Sequence, residues 1–413
     1  MPSFELGESI PPDTAHAVSV SLPTWKSNIG YEEGEEWVLG RMVTGYPRFY
    51  IHKSIAALAQ EIATSDVDLT TTPLPALESS TRGIANLSEG DIYLYPCGMN
   101  AIFNAHATLL GVRGSMKSIN FGFPYVDTLK ILQKFGPGCL FYGHASNEEL
   151  DDLEKRLQNG EKFLGLFCEF PGNPLLTCPD LVRIRQLADQ YDFAVVVDET
   201  IGTFANINVL HFADVVVSSL TKIFSGDCNV MGGSLVLNPH SRYYAEMKAL
   251  IQREFVDTYW AEDVIFMERN SRDFAGRIER VNANAEAISE ILLAHPAVQK
   301  VYYPKHNESK RSYDVCKLPQ GGYGGLLSVV FHRKAQAMAF YDAIETAKGP
   351  SLGTNFTLTS PYVVLAHYQE LDWAAGMGVS PDLLRISVGL EETDQLISVF
   401  KSALHAAEEC AQD

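Results

Sequence analysis

No run of 18 apolar residues occurs anywhere in the 413 positions, so the sequence predicts no transmembrane helix. The opening segment, MPSFELGESIPPDTAHAVS, has neither a basic head nor an apolar stretch. It does not read as a secretory signal, and the expected location is cytoplasmic. Positive charge is scarce: 32 Lys and Arg face 51 Asp and Glu, a net charge of −19. A nucleic-acid partner needs clustered Lys and Arg, and an anionic membrane surface needs the same, so neither is expected. The 7 cysteines stand wide apart and form no CxxC pair, which argues against a disulfide framework or a zinc knuckle. Cys97, Cys168 and Cys228 read as small buried fillers. The 11 histidines are dispersed, and no metal site is expected. His367, in LAHYQE, is the one histidine near motif-rich sequence. GxxxxGK followed by Ser or Thr, GxGxxG and HExxH are all missing, so nothing supports a P-loop, a dinucleotide fold or a zincin.

What is there is an ordinary globular composition, 46% hydrophobic and 20% charged, in a chain long enough for two or three domains. Residues 1–75 read as an arm held extended by Pro11, Pro12 and Pro23, with one helix at HKSIAALAQEIA, and are expected to make dimer contacts. From residue 76 to about 257, apolar strands alternate with amphipathic helices. DIYLYP, SINF, CLFYG, KFLGLFCEFP, FAVVVDE and DVVVSS are the strands. PDLVRIRQLADQYD is a helix with Leu181, Ile184 and Leu187 on one face. That alternation predicts an α/β fold with a parallel sheet covered on both faces. Residues 258–413 change texture. A long helix through RDFAGRIERVNANAEAISEILLAH precedes the strands VQKVYYP, GGLLSVVFH and LLRISVGLE. FYDAIETAK and DQLISVFKSALHAAEEC read as helices beside them, which makes a smaller α+β domain.

Ligands of open α/β sheets collect beyond the carboxyl ends of the strands. One such tail is VVVSSLTKIFSGDCNVMGG, where Lys222 sits among Ser218, Ser219 and Thr221. Lys222 is either an ordinary loop lysine or a positioned amine beside an anion site. Four further pieces favour the second reading. GMNAIFNAH puts Gly98 and Met99 at a helix amino end, whose unpaired N–H groups bind phosphate. The hydroxyls of Ser219 and Thr221 can serve the same phosphate. Asp198 ends the strand FAVVVD, where a carboxylate can meet a ring nitrogen. Arg385 stands inside the apolar strand LLRISVGLE and calls for an anionic partner.

Together these segments resemble the pyridoxal-phosphate (PLP) enzymes of cysteine and methionine metabolism, the cystathionine γ-synthase-like family with the aspartate-aminotransferase fold. SSLTKIFSGDCNVMGG is similar to that family's cofactor-lysine segment, CEFPGNPLL to its Glu-x-Pro-x-Asn-Pro motif, and GYPR to its Tyr-x-Arg motif. VVVDET resembles the segment with the ring-nitrogen aspartate, and SLG with LRISVGLE the substrate-carboxylate region. The likeness covers about residues 40–400. AVSVSLPTW, GYEEGEEWV and FGFPYVDTLKIL bring it nearest the fungal branch.

The resemblance implies fold type I, with a mostly parallel seven-stranded sheet in the large domain, a smaller C-terminal domain and an N-terminal arm. It implies PLP bonded to Lys222, with Asp198 on the ring nitrogen, Asn173 at the ring hydroxyl and Thr200 beside them. Gly98, Met99, Ser219 and Thr221 would hold the phosphate. Tyr46 and Arg48 would reach the phosphate of a neighbouring subunit, in a homodimer or a homotetramer with shared sites. Arg385 would clamp the substrate α-carboxylate bidentately, with the Ser351 and Leu352 backbone nearby. Two positions depart from the family pattern. Phe121 stands where the family has a ring-stacking tyrosine, so proton transfer there falls to Tyr125 or another group. Phe356 stands where many relatives carry a substrate-shaping Glu.

The activity so implied is γ-replacement on an O-acyl-L-homoserine, a small-molecule amino-acid substrate, by a second small-molecule nucleophile. The thiol of L-cysteine is the first expectation. Alternatives are a secondary-metabolism enzyme using acetoacetate or its ester, a β- or γ-lyase, and an inert paralogue on the same fold.

Overall fold

The computed structural model describes residues 5–10, 19–42 and 84–410, and these build two main sheets and a two-stranded pairing of Ser9–Ile10 with Ser19–Val20. The large one has seven strands: β1 Ile92–Tyr95, β2 Ser118–Phe121, β3 Cys139–Tyr142, β4 Gly165–Glu169, β5 Ala194–Asp198, β6 Val215–Ser219 and β7 Gly233–Leu237. Their order is β1-β7-β6-β5-β4-β2-β3, and β7 alone runs against its neighbours. The continuous apolar strands are thus explained by burial on both faces. Successive side chains point to opposite sides. Val195 and Val197 join Ile119, Leu166 and Val216 in one core. Val196, Val215 and Val217 join Leu109 and Phe167 in another.

Helix α1, Gly98–Arg113, packs over the sheet through Ala101, Ile102, Ala105 and Leu109. Helix α2 is Val126–Lys134, and α3, Asn147–Gln158, carries a Ser146–Glu149 capping box. Helix α4, Leu181–Tyr191, buries the expected face of Leu181, Ile184 and Leu187.

The small sheet comprises β8 Val298–Tyr302, β9 Leu326–Phe331, β10 Ala347–Lys348, β11 Leu358–Pro361 and β12 Leu384–Ser387, ordered β8-β9-β12-β11-β10. The 20-residue helix Phe274–Leu293 and the helices Lys334–Ala343 and Thr393–Glu409 cover it. The segment FYDAIETAK does not stay helical. Its helix stops at Ala343, the β-branched Ile344 turns extended, and Ala347–Lys348 pairs in parallel with Leu358 and Thr359.

The beginning of the chain also departs from expectation. Its described part is not a free arm. Trp25–Glu32 is a helix with a reciprocal Thr24–Ser27 cap. It docks on the small domain of its own chain. Trp25 N–H donates to Asp342 Oδ1 at 2.8 Å, Tyr341 OH donates to Leu22 O at 2.7 Å, and Lys348 Nζ donates to Pro23 O at 2.8 Å. The GYPR motif with Tyr46 and Arg48, and the segment HKSIAALAQEIA, lie outside the described residues.

Candidate active site

The carboxyl ends of β4, β5 and β6 lie side by side. Glu169 is the register partner of Asp198, and Asp198 of Val217, two residues before Ser219 on β6. After Ser219 the chain turns tightly: Lys222 N–H reaches Ser219 O at 3.3 Å, and Gly226 N–H reaches Lys222 O at 2.9 Å. This half-buried turn points the Lys222 amine across to the small domain, where Nζ donates to Ser351 Oγ at 3.3 Å. The approach of the two segments requires glycine at 353. Its φ is +75°, and a Cβ there would stand 2.5 Å from Ile223 N and 2.8 Å from Lys222 C.

The amino end of α1 meets Ser219. A Cβ on Gly98 would fall 2.7 Å from Ser219 Cβ, so glycine lets the helix end close on that hydroxyl. The first N–H groups of α1, from Gly98 and Met99, therefore open beside Ser219, as an anion cradle needs. The Met99 side chain is exposed. Thr221 is placed differently from the expectation. Its hydroxyl donates to Gly232 O at 3.2 Å and accepts from Gly232 N–H at 3.0 Å, which closes the loop onto the start of β7.

Asp198 Oδ1 accepts from Thr200 N–H at 2.9 Å and from Thr200 Oγ1 at 2.6 Å. Thr200 Oγ1 in turn accepts from Ser219 N–H at 2.8 Å, so Thr200 bridges two strand ends. Burial pushes the Asp198 carboxyl above its ordinary value, and the two Thr200 bonds pull part of that back. A carboxylate so placed is stabilised by a cationic ring nitrogen, which is how the donor set fits PLP. Phe121, 1% exposed, packs edge-on to Tyr142 and lines a small cavity shared with Asp198 and Glu169. A second cavity, of about 1000 Å³, starts from Phe121, Glu169 and Asn173 and runs between the two domains, without Lys222 in its wall.

Asn173 and Arg385 come together across the domains. Arg385 Nη1 donates to Asn173 Oδ1 at 3.2 Å, and Nη2 donates to Pro350 O and Ser351 O, each at 2.8 Å. Tyr362, which no motif singles out, lies under the guanidinium at 4.8 Å and accepts from Asn173 Nδ2 at 3.3 Å. His367 is buried in a box of Phe123, Tyr362 and Trp373, with Glu370 Oε2 3.5 Å from Nδ1. Tyr125 caps α2 and gives its N–H to Glu169. Burial, and then Asp198, push the Glu169 carboxyl up to about 8.

Two residues of the expected substrate region have side chains that pack against other parts of the chain. Phe356 packs with Ile10, Ala347 and Leu358 under the small sheet, because Gly389 lets the backbone at 356 lie flat against it. Leu352, 8% exposed, fills a cluster with Leu176, Ile201 and Leu326.

The model of the family described as Cys/Met metabolism PLP-dependent enzyme matches residues 50–405. The chain is 48% identical to a cystathionine gamma-synthase of Neurospora crassa, over 100% of both proteins. It is also 48% identical to a cystathionine gamma-synthase-like enzyme of Amanita muscaria, over 80% of this chain and 57% of that protein, so it spans little more than half of that relative. In three dimensions it superposes on the crystal structure of cystathionine gamma synthase from Xanthomonas oryzae pv. oryzae with a TM-score of 0.68. That superposition covers 83% of this chain and 88% of the other at 24% identity, and it shows the shared fold. The match across residues 50–405, together with the full-length likeness to the Neurospora protein, places the chain among the PLP-dependent enzymes of Cys/Met metabolism, the family to which it belongs.

Proposed function

We propose that the chain catalyses γ-replacement on O-acetyl- or O-succinyl-L-homoserine, joining the thiol of L-cysteine to Cγ to give L-cystathionine. The observation that carries this reading is the meeting of Lys222 and Arg385 at Ser351. The lysine amine lies 3.3 Å from the Ser351 hydroxyl while the guanidinium holds the Ser351 carbonyl at 2.8 Å. An amino acid brings its amino group and its carboxylate on one carbon, and these two side chains converge on one residue. The likeness to the Neurospora protein supports cysteine as the nucleophile.

In this reading Lys222 bonds the cofactor, Asp198 faces its ring nitrogen and Asn173 its ring hydroxyl. Phe121 covers the ring. Gly98, Met99 and Ser219 hold the phosphate, with Thr221 and Thr200 shaping the loop around them. Bound PLP supplies an electron sink that makes protons at Cα and Cβ of the substrate removable. Lys222 Nζ takes the Cα proton and then serves Cβ. One flexible amine reaches both carbons, which a planar guanidinium does not. Arg385 holds the α-carboxylate through its guanidinium.

Arg385→Ala is expected to raise KM for the O-acyl-homoserine about tenfold to a hundredfold, with a smaller change in kcat. Arg385→Lys should recover only part of it, because one ammonium cannot replace the fork. Steady-state kinetics on both variants checks this, and an unchanged KM in Arg385→Ala would remove Arg385 from the substrate site.

The proposal includes a cytoplasmic homodimer, or a homotetramer built from it. The exposed apolar residues Met99, Phe103, Met231 and Val256 suit such a contact. Tyr46 and Arg48 would complete the neighbour's phosphate site.

A second reading is a secondary-metabolism enzyme that joins Cγ to a carbon nucleophile such as acetoacetate or its ester. The loss of the relatives' Glu, with Phe356 packed under the small sheet in its place, is the observation that favours it. Purified protein with PLP and O-acetyl-L-homoserine, given L-cysteine in one tube and acetoacetate in another, decides by mass spectrometry. Cystathionine alone upholds the first reading, and a carbon-linked amino acid the second. Ammonia and a keto acid without either added nucleophile would mark a lyase.

A further inference from the structure

We infer that Glu169 is a positioning residue whose carboxyl pins the Phe121–Tyr125 turn to the Phe170–Pro174 turn and thereby sets Asn173 against Arg385. Glu169 ends β4, and its two oxygens serve two different loops. Oε1 accepts the Tyr125 N–H at 2.5 Å, and Oε2 accepts the Asn173 N–H at 3.1 Å. One donor is 44 residues away in sequence and the other 4, so the carboxyl joins the loops that leave β2 and β4 beyond their last register pair, Phe121 with Cys168. The contacts continue outward. Asn173 Oδ1 accepts a hydrogen bond from Arg385 Nη1 at 3.2 Å, and Asn173 Nδ2 donates to Tyr362 OH at 3.3 Å. A line of hydrogen bonds thus runs from the turn that carries Phe121 to the guanidinium in β12.

The residue type is explained by the donors it meets. Both are backbone N–H groups, which only donate. A glutamine offers one acceptor oxygen and turns an NH₂ toward the other N–H, donor against donor. An aspartate keeps both acceptors and loses the reach. Placing an acid here is costly, since Asp198 is its register partner on the next strand. A second carboxylate at that point is accounted for by two N–H groups that need two acceptors.

The inference rests on the reading of Asn173 and Arg385 as cofactor and substrate contacts, and the test separates the two. Holoenzyme is prepared as wild type, Glu169→Gln, Glu169→Asp, Asn173→Ala and the Glu169→Gln/Asn173→Ala double variant. Each is measured for KM and kcat with O-acetyl-L-homoserine, for PLP dissociation by cofactor fluorescence, and for Tm without cofactor. Glu169→Gln is expected to raise KM about tenfold with kcat within about threefold, and to weaken PLP binding about tenfold. The Tm should stay within a few degrees. The double variant should be no worse than Asn173→Ala alone, because the carboxyl acts through that residue. Glu169→Asp should match Glu169→Gln, and it carries the test if the glutamine variant fails to fold. If Asn173→Ala raises KM and neither Glu169 variant does, the positioning role is overturned alone. If Asn173→Ala also leaves KM and PLP binding unchanged, the site reading falls and the inference falls with it. Effects of Glu169→Gln and Asn173→Ala that simply multiply would also overturn it, since they would mark independent roles.

Discussion

Lys222→Ala is expected to lose at least about a thousandfold in kcat/KM and, in the same protein, the visible absorbance of lysine-bound PLP near about 420 nm. The two losses share a cause. The amine is the group the site presents toward Ser351 at 3.3 Å, and its turn is held by its own backbone, through Lys222 N–H on Ser219 O and Gly226 N–H on Lys222 O. Alanine therefore removes the amine and leaves the turn. Gly353, pressed against the backbone of residues 222 and 223, still fits. The variant should fold and melt near the wild type, so lost activity cannot be ascribed to unfolding. Lys222→Arg should be almost as poor, since a guanidinium stays protonated and cannot take a proton from carbon. Turnover within tenfold of wild type in Lys222→Ala would sink the assignment.

Asp198→Asn is the second large effect, and it has two signs. In the holoenzyme it should cost about a hundredfold to a thousandfold in kcat, because an amide beside the ring nitrogen does not keep that nitrogen protonated. In the cofactor-free protein it should stabilise. The Asp198 carboxyl is pushed above its ordinary 3.8 by burial, so the folded state holds its proton more tightly than the unfolded chain. Its favourable contribution is complete below the unfolded value and is lost as pH rises through the folded one. Wild-type apoprotein thus loses stability as pH rises through the folded value, and asparagine, which does not titrate, does not. Asp198→Asn apoprotein should melt higher than wild type at pH 8, with the gap closing as pH approaches about 4. Thermal melts at both pH values, beside kinetics of the holoenzyme, check both halves. Full activity in Asp198→Asn would remove Asp198 from the ring nitrogen.

Much of this is legible in the residues. Continuous apolar strands such as FAVVVD can be buried on both faces only in a covered parallel sheet, and that pattern alone places Asp198 and Lys222 at one edge. Arg385 betrays itself as a charge in an apolar strand. What escapes the sequence is decided by partners distant along the chain. Nothing near Thr221 says that its hydroxyl is taken by Gly232, ten positions beyond Lys222. Glu169 looks like a strand tail until Tyr125 and Asn173 are seen to share it. Tyr362 belongs to no pattern and is found only by its contacts with Asn173 and Arg385. Phe356 reads as a pocket wall because of its place in a motif, and the backbone turns it into the core of the small sheet. Leu358–Pro361 is hidden as a strand because Thr359 and Ser360 look like loop residues, yet both are buried between β10 and β12.

The docking of the Trp25–Glu32 helix bears on how the protein is made. Its bonds to Asp342 and Tyr341 join residues 317 and 313 positions apart. During synthesis this segment leaves the ribosome early and its binding surface late, after the whole large sheet. The small domain is therefore finished by a piece of chain that has waited through most of translation. Its apolar anchor, Trp25, has no such surface to close on until then, which makes docking of this helix a late event in maturation.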